Sequence, residues 1–225
     1  MTHDECWYKN TCNKYLGDID NCRGCIRFFE MYNLMKLSNI PENRWKPIRL
    51  LSGEDKSAYM ELQEVKKDIL NWVDNGRNLY IYSKNCGNGK TSWSIKLMQS
   101  YFDKIWAGNG MKCRGVFISV PVFLLKNKEI INKFDNDFVE LKQRIMEADL
   151  VIWDDIASTK LSEFDHSLLL AYIDTRILNG KANIFTGNIN PDNMKDMIGE
   201  RLASRVVNSN KIIEFRNSDM RSVIV

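Results

Sequence analysis

A short glycine-rich stretch, residues 83–91, carries the residue types best suited to chemistry. It reads Ser-Lys-Asn-Cys-Gly-Asn-Gly-Lys-Thr, follows the apolar run 79–82 and precedes a helix-like segment. A strand, a glycine turn, Gly-Lys-Thr and a helix form, in this order, a phosphate-binding loop, in which backbone N–H groups and the helix N-terminus face phosphate oxygens. Lys90 would then reach the β- and γ-phosphates of ATP, and the hydroxyl of Thr91 would bind Mg²⁺.

The predicted nucleotide contacts come from eight consecutive residues of this stretch. They are Asn85, Cys86, Gly87, Asn88, Gly89, Lys90, Thr91 and Ser92. The usual pattern has a further glycine five residues before Gly89, where this chain has Lys84. The alternative is a glycine-rich turn in which Gly-Lys-Thr occurs by chance.

Two carboxylates follow a second apolar run. Residues 150–153 are Leu-Val-Ile-Trp, and Asp154 and Asp155 come directly after them. Ligands of a parallel sheet bind at the carboxyl ends of its strands. Asp154 is therefore predicted to hold Mg²⁺, and Asp155 to act as the base that orients the attacking water. The alternative is a strand that ends in two solvated acids.

Asn188 follows another predicted strand, residues 182–186. Its amide could lie between the γ-phosphate and the attacking water. The alternative is an asparagine that only forms a turn.

Four cysteines cluster near the N-terminus, and their chemistry is that of a metal site. They are Cys6, Cys12, Cys22 and Cys25. Cys22 and Cys25 have the two-residue spacing that lets both thiolates reach one ion, and four thiolates suit tetrahedral zinc. Two alternatives stay open, an iron–sulfur cluster and four ordinary thiols in a small helical cap. His3 could replace one ligand.

Composition limits the class of protein. The chain has 225 residues and a net charge of +3, which fit one ordinary domain with a small appendage and do not by themselves argue for nucleic acid. No apolar run approaches the roughly 20 residues that cross a bilayer. The first five residues lack the basic-then-apolar pattern of a signal peptide. We expect a cytoplasmic protein with reduced thiols and no membrane partner.

The elements that must position these residues alternate along the chain. Strands are predicted near residues 79, 115, 150, 182 and 211, with helices between them, one of which runs from Ala58 to Trp72. This order predicts an α/β fold of three layers around a parallel sheet of about five strands. Pro121 is expected to end the second strand.

The chain is predicted to divide into three parts. Residues 1–38 form a cysteine-rich, metal-binding module that contacts a partner, and 39–56 a connector. The connector is anchored by Trp45 and by the leucines at 50 and 51, and residues 57–225 form the ATPase domain.

A basic segment, residues 104–133, is a candidate DNA contact. Its charged residues are Lys104, Lys112, Arg114, Lys126, Lys128 and Lys133, with Glu129 as the acid. Such a segment could follow a phosphate backbone while Phe123 or another aromatic residue stacks on bases. A solvated helix face is the alternative.

Taken in order, the motifs resemble a known family. They are Gly-Asn-Gly-Lys-Thr at 87–91, Val-Ile-Trp-Asp-Asp-Ile at 151–156, Ile-Phe-Thr-Gly-Asn at 184–188, Gly-Glu-Arg-Leu-Ala-Ser-Arg at 199–205, Ile-Glu-Phe at 213–215 and Asp-Met-Arg at 219–221. Over roughly residues 57 to 221 the chain resembles the DnaC/DnaI-type helicase-loader ATPases of the AAA+ superfamily, with relatives among IstB-type transposition ATPases.

The resemblance implies a function. Such a protein assembles as a homo-oligomer in the presence of ATP and loads a DnaB-type replicative helicase onto single-stranded DNA. The cysteine module would contact the helicase, and the small size suggests a phage or mobile-element version. Two other functions stay open: a non-hydrolysing adaptor that retains the fold, and an IstB-type transposition ATPase.

The resemblance also assigns roles to individual residues. Lys90 and Thr91 match the nucleotide loop, Asp154 the metal-holding acid and Asn188 the sensor position. Asp155 stands where many AAA+ proteins have glutamate, which suggests slow hydrolysis. Arg205 matches the arginine finger that reaches the γ-phosphate of a neighbouring subunit. Arg201 is the second choice for the finger, and a surface salt bridge is the ordinary role for Arg205.

Overall fold

Five short apolar segments form the strands of one sheet. The structure is a computed structural model that describes residues 6–8, 12, 25–45, 53–129, 135–208, 211–217 and 219. The strands are β1 (Asn78–Tyr82), β2 (Gly115–Ser119), β3 (Leu150–Asp154), β4 (Ala182–Gly187) and β5 (Lys211–Glu214). β-branched and aromatic side chains dominate them, as expected for strands buried on both faces.

All strand pairs are parallel, and their order is β2-β3-β4-β1-β5. The register places Tyr82 opposite Gly187, and Ser119 opposite Asp154. The carboxyl ends of β1, β3 and β4 therefore meet at one edge of the sheet, called here the carboxyl edge. The opposite edge, where the strands begin, is called the amino edge. This architecture confirms the predicted parallel sheet of five strands.

Helices cover both faces of the sheet. They are α1 (Ile26–Leu37), α2 (Lys56–Lys67), α3 (Ile69–Asp74), α4 (Lys90–Ile105), α5 (Val120–Glu129), α6 (Asn136–Glu147), α7 (Glu163–Leu178), α8 (Met194–Ile198) and α9 (Glu200–Val207). Short 3₁₀ turns occupy Glu42–Arg44 and Pro191–Asn193.

Alternating side chains of the strands pack into two separate hydrophobic cores, one on each face of the sheet. Leu79 and Ile81 pack with α1 to α4, whereas Tyr80 and Tyr82 pack with α5 to α9. Because successive strand residues point to opposite faces, one strand supplies both cores. Each fully buried apolar side chain contributes about 1.5–3 kcal/mol, before the entropy cost of ordering it. The three-layer prediction is confirmed.

One helix prediction was wrong in detail, and helix α5 was not predicted, although β2 does end before Pro121. The helix expected to continue from Ala58 to Trp72 breaks at Asp68, whose backbone leaves the helical region and whose carboxylate accepts a bond from Asn71 Nδ2 at 2.9 Å. Pro121 lies in the first turn of α5. Proline is tolerated there because its missing N–H has no intrahelical partner to lose.

The N-terminal part of the described chain packs on the sheet. Helix α1 joins the core of α2 to α4. The carbonyl of Ser38 accepts a bond from Phe117 N at 2.7 Å, beside edge strand β2. Trp45 is buried, as predicted for an anchor, and its Nε1 donates to Ile40 O at 2.8 Å. The leucines at 50 and 51 lie outside the described residues, and the division into 1–38, 39–56 and 57–225 stays a prediction.

Among the helices of the described ranges, none combines the length and the apolar character that a membrane crossing requires.

Candidate functional site

The glycine-rich stretch links the end of β1 to the start of α4 at the carboxyl edge. Gly87 and Gly89 have φ values of +73° and +98°, a backbone region that side chains other than glycine rarely adopt. A Cβ on Gly87 would lie 1.9 Å from Oδ1 of Asp219. Both glycines are therefore required for this loop, and the C-terminal segment is seated against it.

Lys90 is held inside the loop. Its side chain is buried, and its Nζ donates to the carbonyl oxygen of Asn85 at 2.9 Å. Ser83 Oγ accepts bonds from the backbone N–H of Asn85, at 3.0 Å, and from the amide of Asn88. These bonds hold the loop around the ammonium group at the N-terminus of α4, where the charge of Lys90 and the helix dipole favour an anion.

Asp154 lies beside this loop in a cluster of hydroxyl groups. Its Oδ1 accepts hydrogen bonds from Thr91 Oγ1 at 2.8 Å and from Thr186 Oγ1 at 2.6 Å. Burial raises the pKa of Asp154 above its ordinary value. The bond from Thr186 lowers the pKa in part, and the charge of Asp155 raises it further. No lysine or arginine of the described residues forms an ion pair with Asp154.

This oxygen cluster fits Mg²⁺. Magnesium is a hard cation that takes oxygen ligands, usually one or two from the protein, and keeps several waters. The Thr91 hydroxyl and the Asp154 carboxylate are such ligands, and they already lie within hydrogen-bond distance of each other. The charge of Arg44 lowers the pKa of Asp154 only in part, and a divalent cation would add positive charge in direct contact with this buried acid.

Asp155 has an unusual backbone conformation. Its φ is +58°, in the left-handed region, where aspartate and asparagine are enriched among residues other than glycine. Its N–H donates to Thr186 Oγ1 at 3.1 Å. The turn that carries the predicted base therefore favours aspartate over glutamate at this position, which gives a physical reason for the departure from the family pattern.

Asn188 directly follows β4, next to the loop. Gly187 is the register partner of Tyr82, and its carbonyl accepts a bond from Ser83 N at 3.2 Å. Asn188 is half-buried at this edge. The structure thus brings the end of β4 to the loop and Asp154, where the predicted sensor role requires it. The role itself stays a prediction.

Arg205 lies on the other side of the molecule from the loop. Helix α9 runs from the carboxyl edge back to the amino edge, where Arg205 shares a cleft with the first residues of β1 and β5, Asn78 and Lys211. Its Nε forms an ion pair with Asp174 Oδ1 at 2.6 Å. The surface salt bridge is therefore present, and Arg205 faces away from the loop of its own chain.

One of the four cysteines of the predicted zinc site is outside the described residues. This residue is Cys22, whereas Cys6, Cys12 and Cys25 are half-buried free thiols. The described ranges contain no group of three or more histidine, cysteine, aspartate or glutamate side chains placed to hold a metal ion. The zinc module stays a prediction from sequence.

The basic segment is not one continuous surface. Arg114 pairs with Asp149 at the amino edge, and Lys128 pairs with Asp165 at 2.7 Å. Phe123 cannot stack on bases as predicted, because it is buried with its ring 5.4 Å from that of Phe138. Lys133 lies outside the described residues.

The sequence reading gave no role to three residues that build the site. They are Ser83, Thr186 and Asp219. Ser83 and Thr186 end or follow buried strands at the carboxyl edge, and a hydroxyl at such a position is a signal that could have been used. Asp219 reaches the loop through a C-terminal segment whose backbone N–H groups at 216 and 217 donate to the carboxylate of Asp55, at 2.6 and 3.2 Å. No local pattern predicts that pairing across the chain.

Comparison with known proteins gives structural matches and no sequence matches. No protein-family model matches the chain, and no curated protein matches it either. The crystal structure of the DnaC helicase loader aligns with a TM-score of 0.63 at 15% sequence identity, over 78% of this chain and 99% of that chain. The crystal structure of DnaI aligns with a TM-score of 0.59 at 13% identity, over 80% and 93%.

A third match contains a nucleotide analogue. The replication initiator DnaA bound to AMPPCP and single-stranded DNA aligns with a TM-score of 0.56 at 21% identity, over 73% of this chain and 47% of that one. The chain shares the fold of these proteins, and at such identities the likeness establishes the fold alone. In this fold the loop at 83–91, Asp154 and Asn188 share one edge, and Arg205 faces outwards.

Proposed function

We propose that this chain is an ATPase that loads a DnaB-type replicative helicase onto single-stranded DNA. The observation that carries the ATPase proposal is the cluster in which Asp154 accepts from Thr91 and Thr186, beside the loop that encloses Lys90. The likeness to the DnaC helicase loader over 99% of its chain supports the loading role.

The loop and Lys90 bind and orient the triphosphate. Backbone N–H groups between Asn85 and Lys90, together with the N-terminus of α4, would cradle phosphate oxygens. The Lys90 ammonium would exchange its bond to the Asn85 carbonyl for charge-assisted bonds to phosphate, which are roughly twice as strong as neutral ones. The bound triphosphate is thereby fixed in the line of attack.

The acids and Asn188 act on the attacking water. Asp154 and Thr91 would hold Mg²⁺, which neutralises charge on the phosphates when bound. Asp155 would accept a hydrogen bond from the water and orient it, while Asn188 would fix the water against the γ-phosphate. The left-handed backbone of Asp155 places a short side chain there, in keeping with slow hydrolysis.

Full activity would need a second copy of the chain. Arg205 lies at the amino edge and cannot serve the loop at the carboxyl edge of its own chain. An arginine that stabilises transition-state charge from a neighbour is worth several orders of magnitude in rate. ATP hydrolysis should therefore rise steeply with protein concentration.

The test measures ATP turnover with a purified DnaB-type helicase and single-stranded DNA. The wild-type chain should hydrolyse ATP, bind the helicase and transfer it to the DNA. Arg205→Ala should lose turnover and keep ATP binding. Arg201→Ala is the matched control, since Arg201 is exposed on the same helix one turn earlier.

Other outcomes identify the other functions. Helicase binding without turnover in any assembly would indicate a non-hydrolysing adaptor. Binding to a transposase and not to the helicase would indicate a transposition ATPase. Loss of turnover in Arg201→Ala alone would move the finger to Arg201.

A further inference from the structure

A cleft of about 630 Å³ opens at the amino edge of the sheet, next to Arg205. Asn78 and Lys211, the first residues of β1 and β5, form part of its wall. This volume is in the range of small-molecule sites. The five residues of β1 separate the cleft from the loop at 83–89 by about 16 Å. A nucleotide held by the loop of the same chain therefore does not fill it.

The lining of the cleft is basic. Arg77, Arg205 and Lys211 line it, and among the residues that the structure describes no acidic one does. The acids that pair with two of them lie outside the lining: Asp174 bonds Arg205 at 2.6 Å, and Glu61 bonds Lys211 at 2.7 Å. A concave surface lined by one sign of charge attracts ligands of the opposite sign. The cleft is thus suited to an anion.

Arg77 differs from the other two cations. It is exposed, its guanidinium lies 5.7 Å from the ring centroid of buried Trp72, and it forms no ion pair with the described residues. The amides of Asn75 and Asn78 stand in the same lining. A guanidinium presents a planar fork of donors that matches two phosphate oxygens. The Trp72 ring supports the guanidinium and leaves its donors available.

We propose that this cleft receives the terminal phosphates of a nucleotide bound to the loop of a second copy, and that Arg77 contacts those phosphates together with Arg205. This inference rests on the proposed ATPase function and extends it. It names Arg77 as a second arginine that acts between copies, and it gives the ion pair with Asp174 the role of positioning Arg205.

The shape of the cleft favours a nucleotide over a nucleic acid. Three cations and three asparagine side chains line one open cleft of limited volume, which suits the compact charge of a triphosphate. Single-stranded nucleic acid is bound along grooves that follow several successive phosphates and stack bases on aromatic rings. Trp72 is buried and its ring already faces Arg77.

The first experiment uses sedimentation velocity of the full chain with Mg²⁺ and AMPPCP, a nucleotide that is not hydrolysed. The wild type should self-associate when AMPPCP is added. Arg77→Ala should weaken this association at least about tenfold, as Arg205→Ala should, because each removes charged hydrogen bonds between copies. Lys36→Ala, which removes an exposed cation on α1 that does not line the cleft, should behave as wild type. Arg77→Lys retains the charge and checks the result if Arg77→Ala lowers folding stability.

The second experiment mixes two inactive variants. Lys90→Ala cannot bind nucleotide and keeps Arg77, whereas Arg77→Ala keeps the loop. Each alone should hydrolyse ATP at least about tenfold more slowly than wild type. An equimolar mixture should recover turnover, since the loop of one copy then meets Arg77 of the other.

Several results would overturn the inference. Wild-type association and turnover in Arg77→Ala would remove any role for Arg77. Mixing with Lys90→Ala could restore the turnover of Arg205→Ala and fail to restore that of Arg77→Ala. This result would mean that Arg77 acts within its own chain. Weaker binding of single-stranded DNA with unchanged turnover would assign the cleft to nucleic acid. Failure of the ATPase proposal is distinct, because Lys90→Ala would then bind nucleotide normally.

Discussion

Strand β3 carries an aspartate at each end, and the two carboxylates have opposite surroundings. Asp149 precedes the strand at the amino edge, where it bonds Arg114, Lys181 Nζ at 2.8 Å and Tyr101 Oη at 3.1 Å. Burial alone would raise the pKa of Asp149, but the bonds from Lys181 and Arg114 outweigh it and hold the pKa below its usual value. Asp154, at the carboxyl edge, receives hydroxyl bonds and has a raised pKa.

The contrast separates Asp149, an acid that stabilises the fold, from Asp154, an acid that we propose to hold Mg²⁺. At the amino edge the charge of Asp149 is balanced inside the chain, so the group contributes to stability. At the carboxyl edge a buried carboxylate is kept near hydroxyls and a second acid, an arrangement that a divalent cation would complete. We infer that the cause of a pKa shift, as well as its direction, helps to distinguish the role of Asp149 from that of Asp154.

Arg176 is a second charged group at the amino edge whose partners all lie within the chain. It is fully buried, and its guanidinium donates to the carbonyls of Ile145, Ala148 and Ala182, at 2.6 to 2.8 Å, and to Asn183 Oδ1 at 2.8 Å. Burial lowers its pKa to about 9, so the side chain remains cationic at neutral pH. One guanidinium thus joins the ends of three segments.

The largest expected effect is therefore at the amino edge. Arg176→Leu should lower the free energy of unfolding by about 3–5 kcal/mol, because it leaves buried carbonyl groups without donors. Urea unfolding at pH 7 measures this. Arg201→Leu, at an exposed position, should change stability by less than about 0.5 kcal/mol. Equal effects of the two variants would contradict the structural role.

The next effect is on nucleotide binding at the carboxyl edge. Asp154→Asn should weaken binding of Mg²⁺–ATP at least about tenfold, since a metal-holding oxygen loses its charge. ATP binding in excess EDTA should change much less. Calorimetric titration with and without Mg²⁺ separates the two, and equal losses in both conditions would argue against a magnesium site.

The same variant should not lose stability. The raised pKa means that the folded chain disfavours the ionised form of Asp154, so ionisation of this group costs stability once the pH exceeds the ordinary pKa. Asparagine can still accept from Thr91 and Thr186. We expect an unfolding free energy at pH 7 equal to that of wild type or higher by up to about 1 kcal/mol.

A smaller effect is expected for Asp149, with the opposite sign. Asp149→Asn should lower stability at pH 7 by about 1–2 kcal/mol, because Arg114 and Lys181 lose their partner. An acid whose pKa is lowered by folding stabilises the folded state at pH values above its unfolded pKa, about 3.9. This stabilisation is lost as the pH falls through the lower, folded pKa. The difference from wild type should thus begin to shrink at about pH 4 and disappear only below the folded pKa of Asp149, which lies under the usual value. Unfolding curves at acidic and neutral pH test it, and a difference that does not shrink as the pH falls would refute this assignment.

The smallest effect concerns Asp219, whose carboxylate lies against Gly87 in the loop at 83–91. A negative charge at an anion site opposes the ligand by about 1 kcal/mol, the value for two unit charges about 4 Å apart that are fully screened by water. Asp219→Asn should therefore tighten ATP binding about three- to tenfold. Glu140→Gln, which removes an exposed acid on α6, is the control. Weaker binding in Asp219→Asn would mean that the carboxylate supports the bound state of the loop.

The sequence was enough to place the sheet and most of the carboxyl edge. Apolar runs followed by Ser83, Asp154 and Asn188 predicted where strands end, and parallel pairing brings such ends together. Gly87 and Gly89 could be assigned to the loop from sequence because a loop of this kind needs residues with positive φ values.

What was missed depends on contacts distant in sequence. Thr186 bonds Asp154 across 32 positions and Asp219 reaches Gly87 across 132, so no local pattern reports them. Helix α5 was missed because Pro121 was interpreted as an end, although the first helical turn accepts proline. Phe123 was predicted to contact DNA. The prediction failed because α6 and α7, which are distant in sequence, bury its side chain.

The most direct test of the central claim compares two lysines of the same loop. Lys90 is buried within it and Lys84 is exposed. Lys90→Ala should weaken Mg²⁺–ATP binding at least about thirtyfold, from the loss of charge-assisted hydrogen bonds, whereas Lys84→Ala should bind within a few-fold of wild type. Normal ATP affinity in Lys90→Ala, measured by calorimetry on folded protein, would contradict the assignment of this loop as the nucleotide site.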